Sequence, residues 1–170
     1  KLNKDYPLLF NNVKIVDNQS PIKKIRDKIR ILLNASQITL PSNPNLEISH
    51  HYGLEKFYKY GITMVNVINK SYCKKLIIML PGQKHPAQFH KEKEESFFIL
   101  YGSITLILDK KKHTLKAGDL KTIKRNQVHE FFSKKGAVIE ELSTEHIKSD
   151  SYYLDKKINE NKNRKTFVRL

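Results

Sequence analysis

No apolar run in this chain of 170 residues approaches the roughly 18–20 residues that a membrane-crossing helix needs. The longest, Leu76-Ile77-Ile78-Met79-Leu80, has the length of a buried strand. The first ten residues place Lys1, Lys4 and Asp5 around a broken apolar stretch, which argues against a signal peptide. The chain opens on Lys1 rather than Met, as expected of a domain cut from a longer polypeptide or of a trimmed one. Cysteine is almost absent. Cys73 stands alone, so no internal disulfide can form. It opens an apolar strand and reads as a small, half-buried residue rather than a reactive thiol. A cytoplasmic location is expected.

Acidic residues are also few: 17 Asp and Glu against 32 Lys and Arg, a net charge of +15. Such an excess can serve nucleic acid or anionic lipid. Here the basic residues are scattered, as in Lys23-Lys24, Lys74-Lys75, Lys110-Lys111-Lys112 and Lys134-Lys135, and several of these groups fall at hairpin turns. No aromatics interleave with them as a base-stacking platform requires. Nucleic acid is therefore not the expected partner, and an anionic small molecule is preferred to it. Arg is scarce beside Lys, Ile and Asn, which reads as a compositional habit of the source genome. With 39% hydrophobic and 29% charged residues, one globular domain is expected.

Residues 1–20 show no clear period and are expected to form an arm. Ser20-Pro21 has the form of an N-cap followed by the first helical position. Ile22, Ile25, Ile29 and Leu32 then recur at spacings of three and four, one face of an amphipathic helix to about Leu33. A proline-containing polar link, 41–45, follows. From Ile62 short β-rich runs alternate with turn signals: Ile62–Ile68, Lys75–Leu80, Ser96–Tyr101, Ile104–Leu108, His113–Lys116, Leu120–Ile123, Val128–Ser133 and Ala137–Leu142. Gly102-Ser103 is among the expected turns. Eight short strands so spaced suggest a sandwich or barrel. The expected division is an arm and helix over 1–45, a barrel over 46–145, and a tail over 146–170 that packs on the barrel.

The chemistry concentrates between Pro81 and Gly102. Gln88 and His90 stand two apart, so in an extended strand they face one side while Phe89 faces the other. Glu95 follows a charged turn and can approach from the next strand, with Glu94 as the competing carboxylate. His129 arrives much later, flanked by Val128 and Phe131. His85, before Pro86, is a further candidate, as a stand-in ligand or a substrate contact.

The spacing resembles the two motifs of the cupin family. The first, G-x5-H-x-H-x4-E-x6-G, is matched by Gly82, Gln88, His90, Glu95 and Gly102, with Gln88 in place of the first His. The second, G-x5-P-x-G-x2-H-x3-N, is matched in register by Gly118 and His129. Lys124 replaces its Pro, Asn126 its Gly and Ser133 its Asn. The resemblance implies an all-β fold, a cupin-type double-stranded β-helix (jelly-roll) barrel, here with a helical N-terminal extension. It also implies a divalent metal ion held by Gln88, His90, Glu95 and His129. Two imidazoles with a carboxylate suit Mn, Fe, Ni or Zn, and a Gln oxygen is a weaker ligand than imidazole.

Further stretches, among them Ile48 to Gly53, Tyr72 to Leu76, Gly136 to Thr144 and Asn163 to Thr166, resemble a narrower group. This is the C-terminal cupin domain of bacterial sialic acid synthase-like proteins, similar more distantly to D-lyxose isomerase cupins. The implied partners are a small-molecule sugar or sugar acid, a second copy in a homodimer, and a synthase catalytic domain in the same polypeptide. Three functions are open: a metal-dependent sugar isomerase or epimerase, a non-catalytic sugar-binding or oligomerisation module for nonulosonate biosynthesis, and a dioxygenase. For an isomerase the candidate bases are Lys75 and whichever of Glu140 and Glu141 faces inward; His51, His85 and Tyr101 are candidate contacts to sugar hydroxyls.

Overall fold

A computed structural model describes residues 20–170; the expected arm lies outside them. The first helix, α1, spans Pro21–Ser36, one turn beyond the expected end. The Ser20 side chain accepts from the Lys23 N–H at 3.3 Å, and Gln37 ends the helix in the left-handed conformation. Its buried face is Ile25, Ile29, Leu32 and Leu33. Burying each such side chain stabilises by about 1.5–3 kcal/mol.

The rest is one curled antiparallel sheet of eleven strands. In chain order they are β1 (Asn45–His50), β2 (Gly61–Asn69), β3 (Tyr72–Met79), β4 (Lys84–Phe89), β5 (Glu95–Leu108), β6 (Lys111–Lys116), β7 (Leu120–Ile123), β8 (His129–Phe132), β9 (Ala137–Thr144), β10 (Tyr152–Tyr153) and β11 (Lys165–Arg169). The path runs β10-β4-β8-β5-β9-β3-β2-β1-β11, with β6 and β7 also paired to β5. Two short helices, α2 (Phe57–Tyr60) and α3 (Lys156–Glu160), fill connections. The mostly-β architecture is that of a jelly-roll barrel, as expected.

Around β3 the sheet is buried on both faces. Inside it Ile77 and Met79 of β3 meet Phe97, Ile99, Leu106, Phe131 and Ile139. Outside it Leu76, Ile78 and Leu80 meet the apolar face of α1 with Leu46, Ile48 and Phe57. The run Leu76–Leu80 is continuous because alternate residues serve two cores. The same alternation turns Glu141 of β9 inward and Glu140 outward, where it pairs with Lys74 at 2.5 Å.

One expected feature is corrected. Gly102-Ser103 is not a turn, and β5 runs through it unbroken for 14 residues. The register against β9 slips between Ile99 and Tyr101. Strict alternation from Glu95 would carry Tyr101 inward; the slip instead packs it with Leu100 against the outer cluster. Inward positions change from 95, 97 and 99 to 104, 106 and 108. Gly102 takes φ 74, and a Cβ there would lie 2.2 Å from the Gly136 carbonyl oxygen. Gly102→Ala is expected to cost about 2–4 kcal/mol of stability, measured by urea denaturation; a loss within error of zero would remove the bulge from this account.

Candidate metal centre and pocket

Three strand ends supply the cluster. Gln88 is the last residue but one of β4, and His90 follows the end of that strand; Glu95 opens β5 and His129 opens β8. β4 and β8 are registered with Gln88 opposite His129. Asn126 holds His90 from below: its N–H donates to the His90 carbonyl at 2.6 Å. Asn126 stands at φ 61, a left-handed conformation that Asn tolerates in the position where the motif has Gly.

Both imidazoles are oriented by their Nδ1 atoms. His90 Nδ1 donates to the Asp150 carbonyl at 2.6 Å, and His129 Nδ1 donates to the Gln127 carbonyl at 3.1 Å. In its neutral form each ring then turns a lone-pair Nε2 inward. Glu95 Oε1 lies 3.1 Å from His129 Nε2 and 3.6 Å from His90 Nε2. One donor atom from each of His90, Glu95 and His129 lies within 4.8 Å of the others, and all three residues are buried. Gln88 Nε2 sits 3.4 Å from His90 Nε2 and 3.3 Å from His129 Nε2, while its Oε1 is buried without a partner among the described residues. Half a rotation of the amide brings Oε1 to the centre instead. With His129 neutral in that tautomer, Glu95 Oε1 also has no hydrogen-bond donor among the described residues. Two lone-pair nitrogens, a carboxylate oxygen and an amide oxygen thus converge with few protons among them. Unpaired buried acceptors are costly, and a cation satisfies all four. The residues fit a divalent metal ion.

Beside the cluster lies a second constellation. Lys93 Nζ contacts Glu95 Oε2 and lies 2.8 Å from Glu141 Oε1. Lys75 Nζ is 4.0 Å from the same Glu141 oxygen. All four side chains are at most 5% exposed. Burial alone would push the Glu95 carboxyl up, but the Lys93 ammonium and then His129 outweigh it and hold it well below the usual range. Burial would likewise lower Lys93, yet Glu141 and Glu95 raise it. Lys75 goes the other way: burial lowers it, and Glu141 compensates only in part.

The pocket above these groups is lined by Lys75, Glu141, His85, Gln88, His90 and Glu95, with Phe97 and Phe131 as its apolar wall. Of the expected contacts, His85 is there, stacked on Phe131 at 4.8 Å. Its Nδ1 is buried, and no side chain among the described residues partners it. His51 stands one layer back: its Nε2 takes the Tyr153 hydroxyl hydrogen at 3.1 Å, and its ring meets His85 edge-on at 4.8 Å. Tyr101 lies on the outer face, turned away by the β5 slip, and Glu140 is outward too. Glu94 is exposed and takes no part. Cys73 is buried and free, with burial raising its thiol.

Two residues escape the sequence reading. Lys93 sits in a run of five charges that looks like a solvated turn. The available signal is its spacing of two from Glu95, which puts both on one side of an extended chain. Asp150 carries no signal. Its carboxylate accepts from three successive backbone N–H groups, those of Lys91, Glu92 and Lys93, at 2.8–3.1 Å. Asp150 thus shapes the turn from His90 to Lys93 and, by its carbonyl, aims His90. Asp150→Ala is expected to weaken metal binding about 10–100-fold, measured by titration with Mn, Ni or Zn. Unchanged affinity would show that the turn holds itself.

Residues 75–141 match the family model described as the cupin domain. The chain is 23% identical to the D-lyxose/D-mannose isomerase of Thermosediminibacter oceani, over 82% of this chain and 94% of that protein. It is 27% identical to the D-lyxose ketol-isomerase of a Thermofilum species, over 79% and 91%. Among solved structures, the ligand-free L-ribose isomerase of Cellulomonas parahominis matches with a TM-score of 0.68 at 15% identity, over 88% of this chain and 95% of that one. The L-ribose isomerase of Geodermatophilus obscurus matches with a TM-score of 0.67 at 14% identity, over 82% and 93%. At such identities the two structures bear on the fold alone. Among the described residues no helix is long and apolar enough to cross a membrane.

The buried imidazole of His51 is pushed down to about 4, first by burial. In the unfolded chain it titrates near 6.5, so below that pH the unfolded state binds the extra proton. The contribution of His51 is then lost as pH falls from about 6.5 towards 4, at about 1.4 kcal/mol per pH unit. Urea denaturation at stepped pH should show this slope in the wild type and a flatter one in His51→Gln. Equal slopes would exclude His51 as its source.

Proposed function

We propose that this domain is a metal-dependent sugar isomerase that interconverts an aldose and its ketose. The observation that carries the reading is the buried pair Glu95 and Glu141, bridged by Lys93, in the pocket that the acceptor cluster also lines. The relatives support it, since both are named as isomerases of D-lyxose and one also of D-mannose. His90, Glu95, His129 and the oxygen of Gln88 would hold a divalent ion such as Mn, Fe, Ni or Zn. When bound, the ion supplies Lewis acidity towards a carbonyl oxygen and a template for orienting the sugar.

Aldose–ketose exchange moves one hydrogen from C2 to C1 and one from O2 to O1. It needs a base and a proton carrier, and no oxidant. Glu141 is the base: two ammonium groups orient its carboxylate, which would take the C2 proton and return it to C1. Lys75 is the better carrier between O1 and O2, because burial lowers its ammonium pKa whereas two carboxylates make Lys93 keep its proton. Lys93 is then a positioning residue, fixing Glu95 and Glu141 relative to one another. His85 is suited to a sugar hydroxyl, and the Phe97–Phe131 wall excludes water.

Gln88 favours a second reading, because it replaces a stronger imidazole ligand. In that reading the domain is a sugar-binding or oligomerisation module, paired as a homodimer, beside a synthase catalytic domain of sialic acid or nonulosonate biosynthesis. Metal content decides between the two. Stoichiometric metal in the wild type, lost in His90→Ala with the β-sheet circular dichroism intact, supports the first; no metal after loading with Mn, Fe, Ni or Zn supports the second. In the loaded enzyme Glu141→Gln is expected to lower kcat by about 10²–10⁴-fold at unchanged metal content. In D2O the wild type should place solvent deuterium on the product carbon. A variant as fast as the wild type removes Glu141 as the base.

A further inference from the structure

The charges around the pocket do not cancel. In its floor they do: Lys75 and Lys93 face Glu95 and Glu141, two against two. Three more cations, Lys148, Arg164 and Lys165, line the same pocket. Lys165 is paired with Glu47 at 2.5 Å. Among the described residues Lys148 and Arg164 form no ion pair with a carboxylate. Lys148 is exposed and Arg164 partly so, which puts the surplus charge at the mouth.

Arg164 is held in place. Its guanidinium carbon lies 5.0 Å from the centre of the Tyr153 ring, and its backbone carbonyl accepts the His50 N–H at 2.8 Å. One guanidinium N–H is engaged by the Tyr153 hydroxyl, and the remaining donors of the fork are left for a planar anion. His146 reports the sign of the field. It lines the same pocket, and its imidazole is pushed down to about 3, first by burial and then by Lys75, Lys93 and Lys165. A neutral sugar gives such a mouth nothing to balance.

We propose that the substrate of this pocket is an anionic sugar, whose carboxylate or phosphate is seated by Arg164 and Lys148 at the mouth while its carbonyl end reaches the floor. The inference rests on reading the pocket as a sugar site. A metal ion at the floor adds to the positive field and strengthens the preference. Arg164 and Lys148 are binding residues in this scheme and take no part in proton transfer.

The test compares D-mannose, D-mannuronate and D-mannose 6-phosphate on the metal-loaded protein, by calorimetry, beside Arg164→Gln/Lys148→Gln and the single Lys148→Gln variant. At least one anionic sugar should bind tenfold or more tighter than D-mannose, and added salt should weaken it selectively. Mannuronate against the phosphate ester tells which anion the mouth fits. The double variant should bring the anionic sugar to the level of D-mannose and leave D-mannose unchanged. Equal or tighter binding of D-mannose, no measurable binding of either anionic sugar, or a preference that survives the double substitution overturns the inference. Ketose formation is followed separately. Anion preference without turnover removes the isomerase reading and keeps this one; turnover of D-mannose without anion preference does the reverse.

Discussion

Two buried carboxylates share the interior of this barrel because an ammonium group stands between them. Lys93 touches Glu95 on one side and Glu141 on the other. Without it the two anions would repel in a site with little water, and one would take up a proton. Removing one member of such a buried network leaves an uncompensated charge, costing about 3–5 kcal/mol. The arrangement also sets roles. Glu95 is drawn towards the imidazoles, Glu141 towards Lys75 and the open pocket. In the proposed reaction a single side chain would thus separate the carboxylate that holds the metal from the one that acts as base.

The position of that triad follows from how the sheet divides its residues. β3 and β9 bury both faces, so their charged residues must fall on the inward side of the alternation near the pocket or on the outside near solvent. Lys75 and Glu141 are directly opposed in register and point in; Lys74 and Glu140 point out and pair there. In β5 the alternation is shifted at Leu100–Tyr101, which lets one strand deliver Glu95 and Phe97 to the pocket and Leu106 to the inner core.

Much of this was legible before the fold was known, and the reason differs by element. The helix announces itself by the Ser20-Pro21 start and its apolar period. The clustering of Gln88, His90, Glu95 and His129 is readable because they sit at strand ends whose spacing is fixed by short turns. The β5 bulge was not legible: Gly102-Ser103 has turn chemistry, and only the contact with Gly136 shows that the glycine serves a close backbone approach. Tyr101 was misplaced for the same reason. Lys93 hid in a charged run, since sequence does not distinguish a solvated turn from a buried ion pair. Asp150, Tyr153 and Arg164 act across separations of 57, 102 and 114 residues from Lys93, His51 and His50, beyond any local pattern.

Those long separations bear on how the domain is made. Residues 146–170 supply the Asp150 carbonyl that aims His90, the Asp150 carboxylate that organises the amides before Glu95, and the Arg164 side of the pocket. The same segment closes the sheet at both of its edges, through β10 beside β4 and β11 beside β1. One stretch of chain thus finishes both the sheet and the pocket, so the two are completed together.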